Sequence, residues 1–412
     1  MRILSAAAAS KRVDQLSKRG AQFGALESQV RKIVEHVRRN GDSALRQYAA
    51  KWDGLAGREL KVATAELEAA WAIATPRLRA SLRQASANIR RFCKWQRPRE
   101  WRRQLGGMSL GQVVRPLQSV GCYVPGGRHP LVSSLLMTVI PAQVAGVREI
   151  RVVSPNPSPE LMAAAHMLGV RELYRVGGAH AIAALAYGTG SIPRVDKIVG
   201  PGNQYVTIAK KLISFDCSID FLAGPTETVV LSHRGRPDFI AADLVAQGEH
   251  DPDALPIFIT TSKQLANKTA IAVKKLTDRN EVANQAMTRN GCILLASSPA
   301  EAIEWANRIA PEHLTVDRFE LTSIQNAGSI FVGEFSAQAA GDYASGPNHV
   351  LPTAGVARFR GGLSVLDFVK IITVQELSER GLKRIGRTVT HLAETEGLHA
   401  HSESIRVRYP DA

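Results

Sequence analysis

KIVGPGNQYVTIAKKL, residues 197–212, holds a supersecondary unit in one short stretch. A β-branched run gives way to a glycine–proline turn, and the turn to apolar residues at helical spacing. The pattern repeats outward on both sides. Upstream, EIRVVSPNP (149–157) reads as a strand ending in turn residues, and ELMAAAHMLGV (160–170) as a helix. ELYRVGG (172–178) is a second strand closing on glycines, and AHAIAALAYGTG (179–190) a second helix. Downstream, ETVVLS (227–232), PIFITTS (256–262) and CILLASS (292–298) are strands. They are separated by helices over 238–250 and 262–277 and followed by AEAIEWANRIA (300–310). Strands alternating with helices predict βαβ units and parallel sheets. The fold class expected is α/β, with two Rossmann-like doubly wound units.

Around this pair the chain changes character. Residues 1–105 read as helices, with SQVRKIVEHVRRNGDSALRQYAAKWDG (28–54) broken at Asn40-Gly41. The tail from about residue 376 reads as a helix and a terminal strand, too small for a core of its own. The expected division is a basic helical segment at 1–107 and Rossmann-like units at 108–228 and 229–375. A tail at 376–412 completes it.

The 412 residues exceed what one hydrophobic core usually covers. The net charge is +15, and residues 1–107 carry 23 Lys and Arg against 9 Asp and Glu. Nearly the whole excess therefore lies in the first quarter, which ends in RRFCKWQRPREWRR (90–103). Aromatics among arginines can clamp a nucleic acid. No nucleic-acid motif accompanies them, so a solvated basic face, with Trp95 and Trp101 covering a core, is the reading preferred. No apolar run approaches the ~18 residues of a membrane span, and the start of the chain does not read as a signal peptide. Cys93, Cys122, Cys217 and Cys292 are scattered without a CxxC, which suits packing roles in a reducing cytoplasm.

Several short stretches carry candidate chemistry. RVGGAHAI (175–182) and VGPGNQYV (199–206) place glycines at strand-to-helix junctions. Such turns either cradle a phosphate at a helix N-terminus or only turn tightly; the full GxGxxG spacing is missing. GCYVPGGRHPLVSSLLM (121–137) offers Tyr123, to stack on a flat ring or simply to pack. In VAQGEHDPD (245–253), Gln247 and His250 stand three apart on the predicted helix and share a face. They can hold a divalent ion or hydrogen-bond to each other. IAPEHLTV (309–316) buries Glu312 and His313 between apolar neighbours, and these two side chains move protons near neutral pH. AGDYASGPNHVLPT (340–353) adds Asp342 and His349, and ETEGLHAHSESIRV (394–407) adds Glu396, His399 and His401.

Taken together, QGEHDPDA, APEHL, GDYASGPNHVLPT and EGLHAH, in this order, resemble the histidinol dehydrogenase family. GCYVPGG, GGAHAIAALAYGT and VGPGNQYVTIAK upstream resemble it too, so the likeness runs from about residue 27 to 408. It implies kinship with the aldehyde dehydrogenase superfamily, a homodimer, and NAD-dependent oxidation of L-histidinol to L-histidine with one Zn²⁺ per site. The resemblance gives Gln247, His250, Asp342 and His401 as metal ligands, His401 reaching the neighbouring subunit. It gives Glu312 and His313 as catalytic residues. Thr226 and Glu396 join the metal ligands and His313 around the substrate, and Tyr123, His180 and Asn203 contact the cofactor. Three positions depart from the family pattern: His180 replaces a glutamine and is expected to donate one hydrogen bond to the cofactor, Thr226 replaces a serine, and His399 stands where an aspartate is common. Two other readings compete. One is a zinc- and NAD-dependent relative acting on another small alcohol, such as a hydroxysulfonate; the other is a nucleic-acid-binding protein on the same scaffold.

Overall fold

A computed structural model of the chain describes residues 1–20, 24, 26–55, 57–126 and 131–408. Among the described residues, two parallel sheets and one small antiparallel sheet form. The five-stranded sheet runs Glu172–Tyr174, Glu149–Val153, Ser119–Tyr123, Lys197–Val199, Ser218–Ile219 across its width. Counting strands by their appearance in the chain, the order is 3-2-1-4-5. The six-stranded sheet repeats that order with Cys292–Leu295, Leu255–Thr260, Glu227–Leu231, His313–Val316 and Ser329–Val332. All neighbours in both sheets are parallel. Helices cover both faces of such a sheet, so its strands are apolar on both sides. Val229, Val230 and Leu231 are buried accordingly, as are Ile257, Phe258 and Ile259. Each such side chain contributes ~1.5–3 kcal/mol by leaving water.

The expected helical N-terminus is corrected at both of its ends. Arg2–Ser5 is a strand that pairs in parallel with Cys292–Leu295 and becomes the sixth strand of the second sheet. Its four residues are too few to show a period. Trp101–Leu105 is likewise a strand, pairing with Met108–Pro116, which also pairs with Val369–Leu377. Trp95 and Trp101 are exposed rather than covering a core. Between these strands the helical reading stands. The helix Leu26–Trp52 bends at Gly41, where φ is 52°, and packs on Gly178–Tyr187 and Gln204–Ile213.

The tail is two helices, Glu379–Thr395 and His399–Arg406, and the strand expected at its end is helical through Arg406. Ser402 bonds Glu394 at 3.1 Å, and Arg406 pairs with the same carboxylate. The first tail helix starts against Gly107, whose φ is +92°; a Cβ there would lie 2.7 Å from the Gly381 nitrogen. No described helix is long and apolar enough to cross a membrane. The four cysteines are free and buried, and burial pushes the Cys122 thiol up to about 12.

Candidate active site

Strand order places two sets of polar residues. In a parallel sheet, the crevice where the order reverses lies beside the first strand. For the first sheet, that crevice is at the carboxyl ends of Ser119–Tyr123 and Lys197–Val199. A cavity of about 690 Å³ opens there, and Tyr123, His180 and Asn203 all line it, with Trp52, Asp53 and Tyr205. Its size is that of a small-molecule site. Residues 127–130 of the GCYVPGGRHP loop lie outside the described residues.

Each of the three expected cofactor residues also has a structural task. Tyr123 is buried at the end of its strand, and its hydroxyl oxygen accepts the Gly178 N–H at 3.1 Å. Asn203 caps the helix Gln204–Ile213, its side-chain oxygen accepting from the Val206 N–H. His180 is buried with its Nε2 2.6 Å from Asp53 Oδ2, which also accepts the Gly177 N–H at 2.9 Å. The His180 Nδ1 is buried without a partner. In the neutral ring Asp53 therefore fixes the proton on Nε2, and Nδ1 presents a lone pair. That reverses the expected hydrogen-bond donor. The ring lies beside both Tyr48 and Trp52, which stack on each other at 4.9 Å.

In the second sheet the polar residues gather at the other edge, where strands begin. His313 opens its strand opposite Thr228 and Ser329. Its Nε2 lies 3.3 Å from Asp342 Oδ1 and its Nδ1 3.7 Å from Glu312 Oε2, and its ring stacks on Phe331. Gln247 Nε2 donates to Asp342 Oδ2 at 2.9 Å. His349 Nδ1 donates to the Asp342 carbonyl at 2.7 Å, and its Nε2 lies 3.4 Å from the Ser134 hydroxyl. Burial pulls the His313 imidazole down, but Glu312 and Asp342 outweigh it and bring the ring up to about 10. Nearby, burial and then the Asp342 charge push the Asp243 carboxyl up to about 6, against the Gln338 N–H it accepts.

The structure brings Gln247, Glu312, His313 and Asp342 together and places Thr226 directly before the Glu227–Leu231 strand at the same edge. It does not bring in the rest. The helix carrying Gln247 ends at Gly248, so His250 falls beyond it and is exposed while Gln247 is buried. The shared helical face expected for this pair is therefore corrected. Glu396, His399 and His401 are exposed on the tail helices. No side-chain hydrogen bond or ion pair described here ties them to the cluster. Among the described residues no group of three His, Cys, Asp or Glu is set to hold a metal.

Sequence reasoning missed two residues. Glu227 is buried at the head of an apolar strand, and its backbone N–H donates to Glu312 Oε2 at 3.0 Å. Arg19, from the N-terminal segment, grips the Glu227 carboxylate with two nitrogens. A charged residue opening an apolar strand was a usable signal, since a buried carboxylate needs a partner. Nothing local marked Arg19.

Comparison with known proteins now decides the lineage. The family model for histidinol dehydrogenase matches residues 16–409. The chain belongs to that family. It is therefore an oxidoreductase by descent. A histidinol dehydrogenase of Methanothermobacter thermautotrophicus is 45% identical over 92% of each chain. That of Aquifex aeolicus is 43% identical over 98% of this chain and 97% of its own. The crystal structure of histidinol dehydrogenase from Elizabethkingia anophelis superposes with a TM-score of 0.95 at 35% identity, covering 100% of this chain and 98% of that one.

Proposed function

We propose that this enzyme oxidises L-histidinol to L-histidine through the aldehyde, in two NAD-dependent steps, within a cytoplasmic homodimer. The observation that carries the reading is the buried Glu312–His313 pair beside Asp342 and Gln247, within a family that bears this name. The two wound parallel sheets also support kinship with aldehyde dehydrogenases.

The donor set suits zinc, which accepts imidazole nitrogen and side-chain oxygen. Gln247 and Asp342 already adjoin, His250 stands three residues on, and an exposed His401 suits a ligand supplied across a subunit interface. When bound, zinc would hold the substrate's amine and imidazole nitrogens, and NAD would accept hydride. The cavity at Tyr123, His180 and Asn203 suits the dinucleotide: it is large enough, and the His180 Nδ1 is a buried polar atom without a partner. The hydroxyl and amino groups of a dinucleotide suit such an acceptor.

The remaining chemistry belongs to the chain. His313 takes the alcohol proton in the first oxidation and serves again in the second. With the Glu312 and Asp342 charges beside it, the ring holds its proton too tightly to be a base near neutrality. Asp342, as a ligand of the ion, would give up part of its hold on the ring, which would bring the imidazole toward the range a base requires. Glu312 Oε2 is occupied by the Glu227 N–H, so Oε1 is the oxygen that takes a proton from the water attacking the aldehyde. Thr226 and Glu396 complete the substrate pocket.

Single-turnover NADH formation from histidinol and, separately, from histidinal tests this division. Glu312→Gln keeps size and removes the base, so acid formation should fall by the ~10²–10⁴-fold typical of a general base, much more than alcohol oxidation. His313→Asn should depress both steps. Equal losses in the two steps for Glu312→Gln would show that the pair does not share the work in this way.

A further inference from the structure

Glu312 follows the helix Pro299–Ile309 after only Ala310 and Pro311, and Ala310 takes a left-handed turn with φ 49°. Two things fix the carboxylate beyond that turn. One is the Glu227 N–H on its Oε2; the other is where the helix end itself is held. A single guanidinium bonds both Glu227 and the helix end. Arg19 Nε lies 2.6 Å from Glu227 Oε1, and Nη2 reaches the other carboxylate oxygen. Arg19 Nη1 donates to the Ile309 carbonyl at 2.9 Å and also to the Leu16 carbonyl at the end of the preceding helix, Ala6–Ser17. Glu227 Oε1 further accepts the Ala354 N–H at 2.8 Å.

We infer that Arg19 is a positioning residue for Glu312, acting from the N-terminal segment through Glu227 and the Ile309 carbonyl. The chemistry favours arginine for this. Its planar fork bonds a carboxylate with two nitrogens and keeps a third for a carbonyl, which a lysine cannot reproduce. The Arg19–Glu227 pair is nearly dry, with side chains 15% and 4% exposed, so its geometry is firmly set. The arrangement also gives one residue of the basic first quarter a catalytic purpose. Arg19 touches no reacting atom; its influence is on the angle and reach of Glu312 Oε1 toward water.

The inference rests on the proposed role of Glu312, and the same half-reaction assay separates the two. Arg19→Met, Glu227→Gln and the double variant are compared with Glu312→Gln in the full-length enzyme. Arg19→Met should slow acid formation ~10–100-fold, the scale of loss from a misplaced catalytic group, and leave alcohol oxidation within a few-fold. It also leaves Glu227 buried and unpaired, so its Tm should fall. The double variant removes that charge and should recover Tm while acid formation stays slow. Recovery of both together would make Arg19 merely structural and overturn the inference, as would equal loss in the two steps. If Glu312→Gln slows acid formation and Arg19→Met does not, the Arg19 role alone is lost. If Glu312→Gln has no effect, the role of Glu312 falls and this inference with it. Should Arg19→Met fail to fold, Arg19→Lys keeps the charge without the fork and should show the same split.

Discussion

In the five-stranded sheet the polar residues gather where strands end; in the six-stranded sheet, with the same 3-2-1-4-5 order, they gather where strands begin. The first behaves as open α/β sheets generally do, with its cavity at the carboxyl edge beside the point where strand order reverses. The second has only a smaller cavity there, about 360 Å³, lined by His233, Asp317 and Glu334 among others. Ser232 bonds Asp317 and accepts the Gly235 N–H, and Thr261 donates to His233 Nδ1. Its buried polar cluster of Glu312, His313, Gln247 and Asp342 sits at the amino edge instead. The two used edges approach each other: Ser134, on the helix leaving the first sheet's central strand, meets His349, which bonds Asp342. A shared topology therefore does not by itself decide which edge carries the polar residues, and here the pairing brings the cavity of one sheet toward the buried cluster of the other.

If the edges are separate devices, they can be disabled separately. The largest effect should come from removing zinc. Turnover should be lost, because in the proposed site Gln247 and Asp342 already adjoin while His250 and His401 would join them only through the ion. The two sheets bury their own apolar strands, so the Tm should change little and NADH should still bind at the carboxyl edge. Chelated enzyme that keeps full turnover would remove the metal from the amino edge altogether.

The tail comes next. Deleting residues from 394 onward should inactivate the enzyme through loss of Glu396 and His401. Mixed dimers of His401→Ala and His250→Ala subunits should regain a fraction of activity, since some sites then draw each group from an intact copy. Proven heterodimers without recovery would assign the tail to its own subunit's amino edge.

Much of this contrast was legible in the chain. ELYRVGG, KIVGPGN and CILLASS show the strands because fully buried strands are written as apolar runs closed by turn residues. The Glu312–His313 pair was visible as polarity inside an apolar run. Most of what escaped was set by pairing over long distance or by short length. Arg2–Ser5 is too brief for a period, and Val369–Leu377 joins Met108–Pro116 from far along the chain. The Gly106-Gly107 hairpin linking Trp101–Leu105 to that strand was instead a local signal that went unread. Arg19 and Glu227 are 208 residues apart, so no spacing rule joins them. His250 was misplaced because helix ends are poorly marked; the helix stopped at Gly248, ahead of the DPD turn. His180 was identified as a departure from the family, but its hydrogen-bonding sense depended on Asp53, 127 residues away.

The smallest expected effect belongs to that last pair and sharpens the comparison from the carboxyl edge. Asp53 holds the His180 proton on Nε2, leaving a buried acceptor at Nδ1 on a residue that lines the cavity. Asp53→Asn keeps the shape of the side chain but lets the imidazole proton move to Nδ1, turning the acceptor into a donor. Dinucleotide affinity should then weaken by about tenfold, the worth of one hydrogen bond at ~1–1.5 kcal/mol. His180→Gln should weaken it less, because the amide supplies an acceptor and a donor on one group. Both are read by NADH fluorescence titration without substrate, with the histidine tautomer in wild type and Asp53→Asn followed by ¹⁵N–¹H NMR. Single-turnover rates at saturating NAD should stay near wild type in both variants, since neither touches Glu312 or His313. If the tautomer changes and NADH binds as before, the His180 Nδ1 does not meet the dinucleotide. If the rates fall at saturation instead, the two edges are not the separate devices that their geometry describes.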